Sequence, residues 1–181
     1  MNYWVDNEEM KNIAPKGAMP EPIEYALWLR ERVADKHVAD VGCGYGRLSP
    51  LFDNSKYIGY DVNEHAIKEA KRLHPEKCFA KMPLLIQSEA VLLHTVMLHL
   101  RMMNAQEMLD KIIADTIIIS EIMSPELANL TLEPCCYNRE PKVYEAMLAK
   151  KDFHLVESAE FTYGCDRYGP QYKLNSLLFL R

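Results

Sequence analysis

The stretch VADVGCGYGRLS, residues 38–49, sets glycine at positions 42, 44 and 46 directly after an apolar run. Glycine packs no side chain and loses more backbone freedom on folding than any other residue, so this density needs a cause. A turn from a buried strand toward a helix supplies one, because it lets a ligand approach the main chain without a Cβ in the way. The spacing narrows the ligand. A dinucleotide turn reads GxGxxG, with its third glycine where helix packs on strand; counted from Gly42 that place is held by Arg47. The third glycine comes one place early, at Gly46, giving GxGxG preceded by Asp40.

Outward from this turn, apolar runs alternate with amphipathic stretches, the pattern of a βαβ chain with a largely parallel sheet. Upstream, residues 21–35 (EPIEYALWLRERVAD) predict a helix in which Ile23, Leu27 and Val33 share a face with Ala26 and Leu29. Residues 37–42 read as the first strand, and a short helix after the turn carries Leu48, Leu51 and Phe52. YIGYD, residues 57–61, is a second strand ending in an acid. Asn63 caps the next helix, whose Ala66, Ile67, Ala70 and Leu73 recur at helical spacing until His74 and Pro75 stop it. KCFA (77–80) is a weak third strand, and EAVLLH (89–94) a stronger fourth. Residues 95–103 predict a short helix, residues 105–114 a continued one, and TIIISEI (116–122) a strand buried on both faces. A helix at 143–152 follows, then two strands joined by GCDRYGPQ, residues 164–171, whose Gly164, Gly169 and Pro170 suit a hairpin loop.

In such a sheet ligands sit past the carboxyl ends of the strands. Asp61 ends the second strand nineteen residues after Gly42, where a carboxylate can accept from both hydroxyls of a ribose. VADVGCGYGRLS followed by YIGYDVNEHAI resembles the first two motifs of the class I S-adenosylmethionine-dependent methyltransferases, and EAVLLHTVMLHL resembles their fourth-strand segment. The motifs run from about Asp40 to Leu100, and the order of elements extends the likeness over most of the chain.

The resemblance implies a Rossmann-like α/β three-layer sandwich: a mostly parallel seven-stranded sheet with a C-terminal antiparallel hairpin. One domain is expected over 1–181, with an N-terminal cap and helix at 1–36 and the core at 37–181. It also implies S-adenosylmethionine as cofactor, with the backbone of Gly42, Cys43, Gly44 and Gly46 along its methionyl part and Asp61 on its ribose. Val62 packs on the adenine in this reading, His94 and Thr95 lie at the reacting end, and Asp40 and Met82 complete the contacts. Many relatives carry an acid after the third strand to meet the adenine, where this chain reads Ala80, Lys81, Met82. Backbone or Gln87 is left to make that contact.

Methyl transfer from a sulfonium chiefly requires a nucleophile held in line with the methyl, plus a base only if the acceptor is protonated. His94 and Glu121, each at a strand's carboxyl end, are the candidate bases. His94 has the alternative of bonding the cofactor or nearby backbone, and Glu121 that of an ordinary capping carboxylate. Tyr3, Trp4, Tyr137, Arg139 and Tyr168 are candidate lining for an acceptor pocket, with Tyr25 and Trp28 beside them; packing is the competing role for each.

Composition bounds the partners. The 181 residues are 49% hydrophobic, and 21 Lys and Arg are dispersed among 26 Asp and Glu for a net charge of -5, which argues against a phosphate-tracking surface. The Asn/Asp-Pro-Pro-Tyr segment of amino-methylating DNA enzymes is absent, HTVM standing in its place. A small-molecule acceptor is therefore expected rather than DNA. No carboxylate cluster has metal-ligand spacing, no apolar run has membrane-spanning length, and five cysteines without CxxC pairing read as reduced thiols of a cytoplasmic protein. Two other readings remain: a module that binds the cofactor without transfer, and a nicotinamide-dependent oxidoreductase, against which Arg47 counts.

Overall fold

The computed structural model describes residues 23–128, 135–162 and 173–181. Its central feature is a seven-stranded sheet ordered β3-β2-β1-β5-β7-β9-β8, built from β1 (Val38–Val41), β2 (Tyr57–Asp61), β3 (Cys78–Lys81), β5 (Ala90–His94), β7 (Thr116–Glu121), β8 (His154–Thr162) and β9 (Lys173–Leu180). The first five run parallel, while β9 lies antiparallel between β7 and β8. Strands β1, β5 and β7 are buried at every residue, which is why they read as unbroken apolar runs. At the edge, β8 alternates exposed and half-buried residues along its whole length, as a strand with one wet face does.

Side chains alternate between two cores. Val91, Leu93, Ile117 and Ile119 face one side, against Ala105, Leu109, Tyr144 and Leu148; these come from α3 (Met102–Asp110) and α4 (Pro141–Ala149). Leu92 and Ile118 face the other side, against Tyr25, Trp28 and Leu29 of α1 (Ile23–Val33). Burying each such Leu or Ile contributes about 1.5–3 kcal/mol, so the period-two alternation secures the register. In α2 (Glu64–Leu73), the Asn63 side chain accepts from the Ala66 N–H at 3.0 Å, and Ala66, Ile67 and Ala70 are buried, as the spacing predicts.

Three expectations are corrected. On α1 the buried face is Tyr25, Ala26, Trp28, Leu29 and Val33, whereas Ile23 and Leu27 are 73% and 60% exposed. The inward aromatics are tolerated because their polar tips find partners: Trp28 Nε1 donates to Glu157 Oε1 at 2.8 Å, and Tyr25 reaches His94. Residues 105–114 are not all helical either. Helix α3 ends at Asp110, and β6 (Ile112–Ile113) pairs in parallel with β4 (Ile86–Gln87) as a separate two-stranded ribbon. The β-branched pair prefers extended backbone, and Ile112 and Ile86 bury against the core. Residues 97–99 make only a 3-10 turn before α3. No helix among the described residues is long and apolar enough to cross a membrane.

Candidate cofactor cleft at the carboxyl ends of the strands

Gly42, Gly44 and Gly46 all have positive φ, +76°, +53° and +76°. The N–H groups of Gly42 and Cys43 both donate to the Tyr60 carbonyl, at 2.7 and 3.0 Å, tying the turn to β2 one residue before Asp61. Two of the glycines answer to the protein's own packing. A Cβ on Gly42 would stand 2.4 Å from a Val96 methyl, and one on Gly46 would stand 2.5 Å from the Phe79 ring. The turn is thus pressed between the chain leaving β5 and a side chain of β3. Gly46→Ala is expected to cost about 2 kcal/mol, from a left-handed Cβ plus displacement of a buried ring, as read by denaturant unfolding.

Asp61 sits at the tip of β2, with its Oδ2 accepting from the Gly44 N–H at 2.8 Å and its Oδ1 from the Asn63 N–H at 2.8 Å. Burial raises its pKa from the ordinary aspartate value, with the backbone N–H groups of Asn63, Gly44 and Val62 opposing. Val62 is half-buried beside it, and Met82 is brought to the same corner by its N–H, which donates to the Asp61 carbonyl at 2.9 Å. The Asp40 and Cys43 side chains point elsewhere. Asp40, 2% exposed, accepts from the Tyr57 hydroxyl at 2.7 Å, and Cys43 packs with Tyr57 and Phe79. Burial, then the charges of Asp40 and Asp61, push the Cys43 thiol well up, so it stays un-ionised. Gln87 lies at the opposite end of the sheet from Asp61 and Met82, in a groove lined by His37, Val38, Cys78 and Asp115.

His94 closes β5 and is 4% exposed, with Nδ1 2.8 Å from the Tyr25 hydroxyl and its ring tilted 40° against the tyrosine at 5.2 Å. Thr95 follows with φ +54°, an outlier for a β-branched residue. It is held by its N–H donating to the Ser120 carbonyl at 2.8 Å and by Arg47 Nη2 donating to its hydroxyl at 3.1 Å. Strain of this kind clusters at binding sites. Arg47 therefore spans from the glycine turn to the end of β5, a link over 48 positions with no local signal in the sequence.

Glu121 closes β7 and is fully buried. Its Oε1 accepts from the Leu98 N–H at 3.0 Å and its Oε2 from the Tyr144 hydroxyl at 2.5 Å. Arg139, 7% exposed, donates to the carbonyls of Met97 at 2.7 Å and of Leu100. Together they pin the segment after β5 against the end of β7. The Tyr137 N–H donates to the Leu98 carbonyl at 2.6 Å, and its hydroxyl accepts from Arg101 Nε at 3.2 Å. Tyr3, Trp4 and Tyr168 lie outside the described residues. The strand ends thus bring together Gly42 to Gly46, Asp61, His94, Thr95 and Glu121, while Tyr137 and Arg139 brace a neighbouring loop.

No family model matches the sequence, and no curated protein matches it. Solved structures match the fold. Magnesium protoporphyrin IX methyltransferase (ChlM) from Synechocystis PCC 6803, with bound SAH, is 17% identical with a TM-score of 0.71, over 99% of this chain and 96% of that one. The methyltransferase domain of bacterial CtHen1-C is 16% identical with a TM-score of 0.66, over 89% and 97%. The [4+2]-cyclase SpnF is 12% identical with a TM-score of 0.65, over 87% and 80%. Identities this low speak for architecture: the chain has the class I S-adenosylmethionine-dependent methyltransferase fold.

Proposed function

We propose that this chain binds S-adenosylmethionine at the carboxyl ends of β1, β2 and β5 and passes its methyl group to oxygen or nitrogen of a small metabolite. The observation that carries the reading is the Asp61 carboxylate, fixed by the Gly44 and Asn63 N–H groups at 2.8 Å each. Each oxygen accepts one of those bonds and the Val62 N–H approaches as well, and the acceptor capacity a carboxylate has beyond them is what a vicinal diol such as a ribose would meet. The three left-handed glycines leave the main chain approachable beside it. When bound, the cofactor supplies a methyl on a sulfonium, already a good leaving group. The chain's part is to orient the sugar through Asp61, seat the adenine by Val62 and Met82, and hold His94 and Thr95 at the reacting end.

A second reading keeps the cofactor without transfer. Both oxygens of Glu121 and the guanidinium of Arg139 are engaged with the protein's own groups, which favours it, and a [4+2]-cyclase shares the fold. A nicotinamide enzyme fits less well, since dinucleotide sheets run parallel in the order 3-2-1-4-5-6, whereas antiparallel β9 is inserted here.

Calorimetry of the intact chain with S-adenosylmethionine, S-adenosylhomocysteine and NAD tests the proposal. Binding of the first two and not the third is expected, and failure of both sulfur nucleosides would overturn it. Formation of S-adenosylhomocysteine only when metabolites are added separates transfer from mere binding.

A further inference from the structure

We propose that Arg47 is a positioning residue of the cleft: its bond to the Thr95 hydroxyl holds Thr95 in left-handed backbone, and that bend sets the end of β5 against the glycine turn. Thr95 stands between two fixed neighbours. Before it, His94 ends β5 in register with Ser120 of β7. After it, Val96, with φ −111° and ψ −49°, leads into the 3-10 turn of residues 97–99. That turn is clamped by its main chain, the Leu98 N–H donating to Glu121 at 3.0 Å and the Met97 and Leu100 carbonyls accepting from Arg139. The reversal from strand to turn therefore falls on one residue, which takes φ +54°. Left-handed backbone brings a Cβ too near the following carbonyl oxygen, and for a β-branched residue it is a genuine outlier. Glycine takes this conformation without that cost.

What threonine has and glycine lacks is a hydroxyl, and here it accepts from Arg47 Nη2 at 3.1 Å. Arg47 follows Gly46 directly, so the bond ties Thr95 to the glycine turn. Val96 makes a second tie, its methyl lying where a Cβ on Gly42 would come within 2.4 Å. The Thr95 N–H, donating to the Ser120 carbonyl at 2.8 Å, makes a third tie to β7. Strained backbone persists where its surroundings over-determine it, and it clusters at ligand sites. The consequence for transfer rests on the cofactor reading above, in which His94 and Thr95 hold the reacting end. A misplacement of about 1 Å there can cost on the order of 100-fold in rate.

Calorimetry with S-adenosylhomocysteine, run beside thermal unfolding on the same samples, tests the role by rank order. Thr95→Val keeps the branched shape without the hydroxyl, so affinity is expected to fall about tenfold, the contribution of one bond from a charged donor. Thr95→Gly also lacks the hydroxyl but turns left-handed freely, so its affinity should fall less than that of Thr95→Val. A side chain that merely packs, or that touches the ligand itself, gives the reverse order, with glycine losing more than valine, and that result would overturn the proposal. Arg47 has further interactions of its own, so Arg47→Ala is read as a difference. Its loss should be smaller in the Thr95→Gly background than in the wild type; equal losses would mean that Arg47 acts through something other than Thr95. The free wild-type chain gives a readout that needs neither variant nor ligand. Thr95 should show the strong intraresidue Overhauser effect between amide and α protons that left-handed backbone produces, and the effect should weaken in Thr95→Val. A weak effect in the wild type, or an equal one in both, would overturn the lock. No binding of S-adenosylhomocysteine by the wild type sinks the cofactor reading and the consequence for the cleft with it, whereas the Overhauser effect still decides whether the hydroxyl holds the bend.

Discussion

Asp61→Ala is expected to weaken S-adenosylmethionine binding about 100-fold or more, because two hydrogen bonds to a charged acceptor contribute roughly 1.5–3 kcal/mol each and tenfold in affinity is about 1.4 kcal/mol. The variant also strips the Gly44 and Asn63 N–H groups of their acceptor, so part of the loss is a loosened glycine turn. Asp61→Asn separates these effects. Its amide keeps one oxygen for one backbone N–H but sets an NH2 against the other, so it should lose less thermal stability than the alanine variant and still bind more weakly than wild type. Titration calorimetry beside thermal unfolding reads both. Unchanged affinity in the alanine variant would overturn the ribose assignment, and equal loss of stability and binding in both variants would make Asp61 a structural residue of the turn.

Asp61 was legible because its signal is local: a glycine turn after one strand and an acid ending the next place both at one end of a parallel sheet. The C-terminal hairpin was legible for the same reason, since its two strands flank a Gly and Pro loop. What escaped depends on distant partners. Nothing near Ile23 or Leu27 says that α1 turns Tyr25 and Trp28 inward instead, since the polar tips that permit it are met by His94 and Glu157. Residues 111–114 read as helix because they continue an amphipathic stretch, and only the pairing of β6 with β4 draws them out. The Arg47 link to Thr95 and the Tyr144 bond to Glu121 likewise join residues that only the folded sheet brings together.

Stability should fall as pH rises through the range in which Glu121 ionises. Burial is the first cause, pushing its pKa up to about 7 from the ordinary 4.5 against the opposing bonds from Tyr144, Leu98 and Met97 and the charge of Arg139. Between those values the folded chain holds a proton that the unfolded chain has released, so each rise in pH favours unfolding. Below about pH 4.5 both states are protonated and no penalty exists; above about pH 7 both are ionised and the penalty is complete, on the order of 3 kcal/mol. Glu121→Gln has a similar shape and no titration, so urea unfolding at pH 4.5 and pH 8 should show the wild type losing about 3 kcal/mol more than the variant across that span. Parallel pH dependence in the two proteins would mean that the carboxyl ionises at its ordinary value. The protected Leu98 amide gives a local readout of the same event. If the ionised carboxylate holds the segment after β5, hydrogen exchange at Leu98 should be slower in the wild type than in Glu121→Gln at pH 8, because a charged acceptor binds an N–H more strongly than an amide oxygen does.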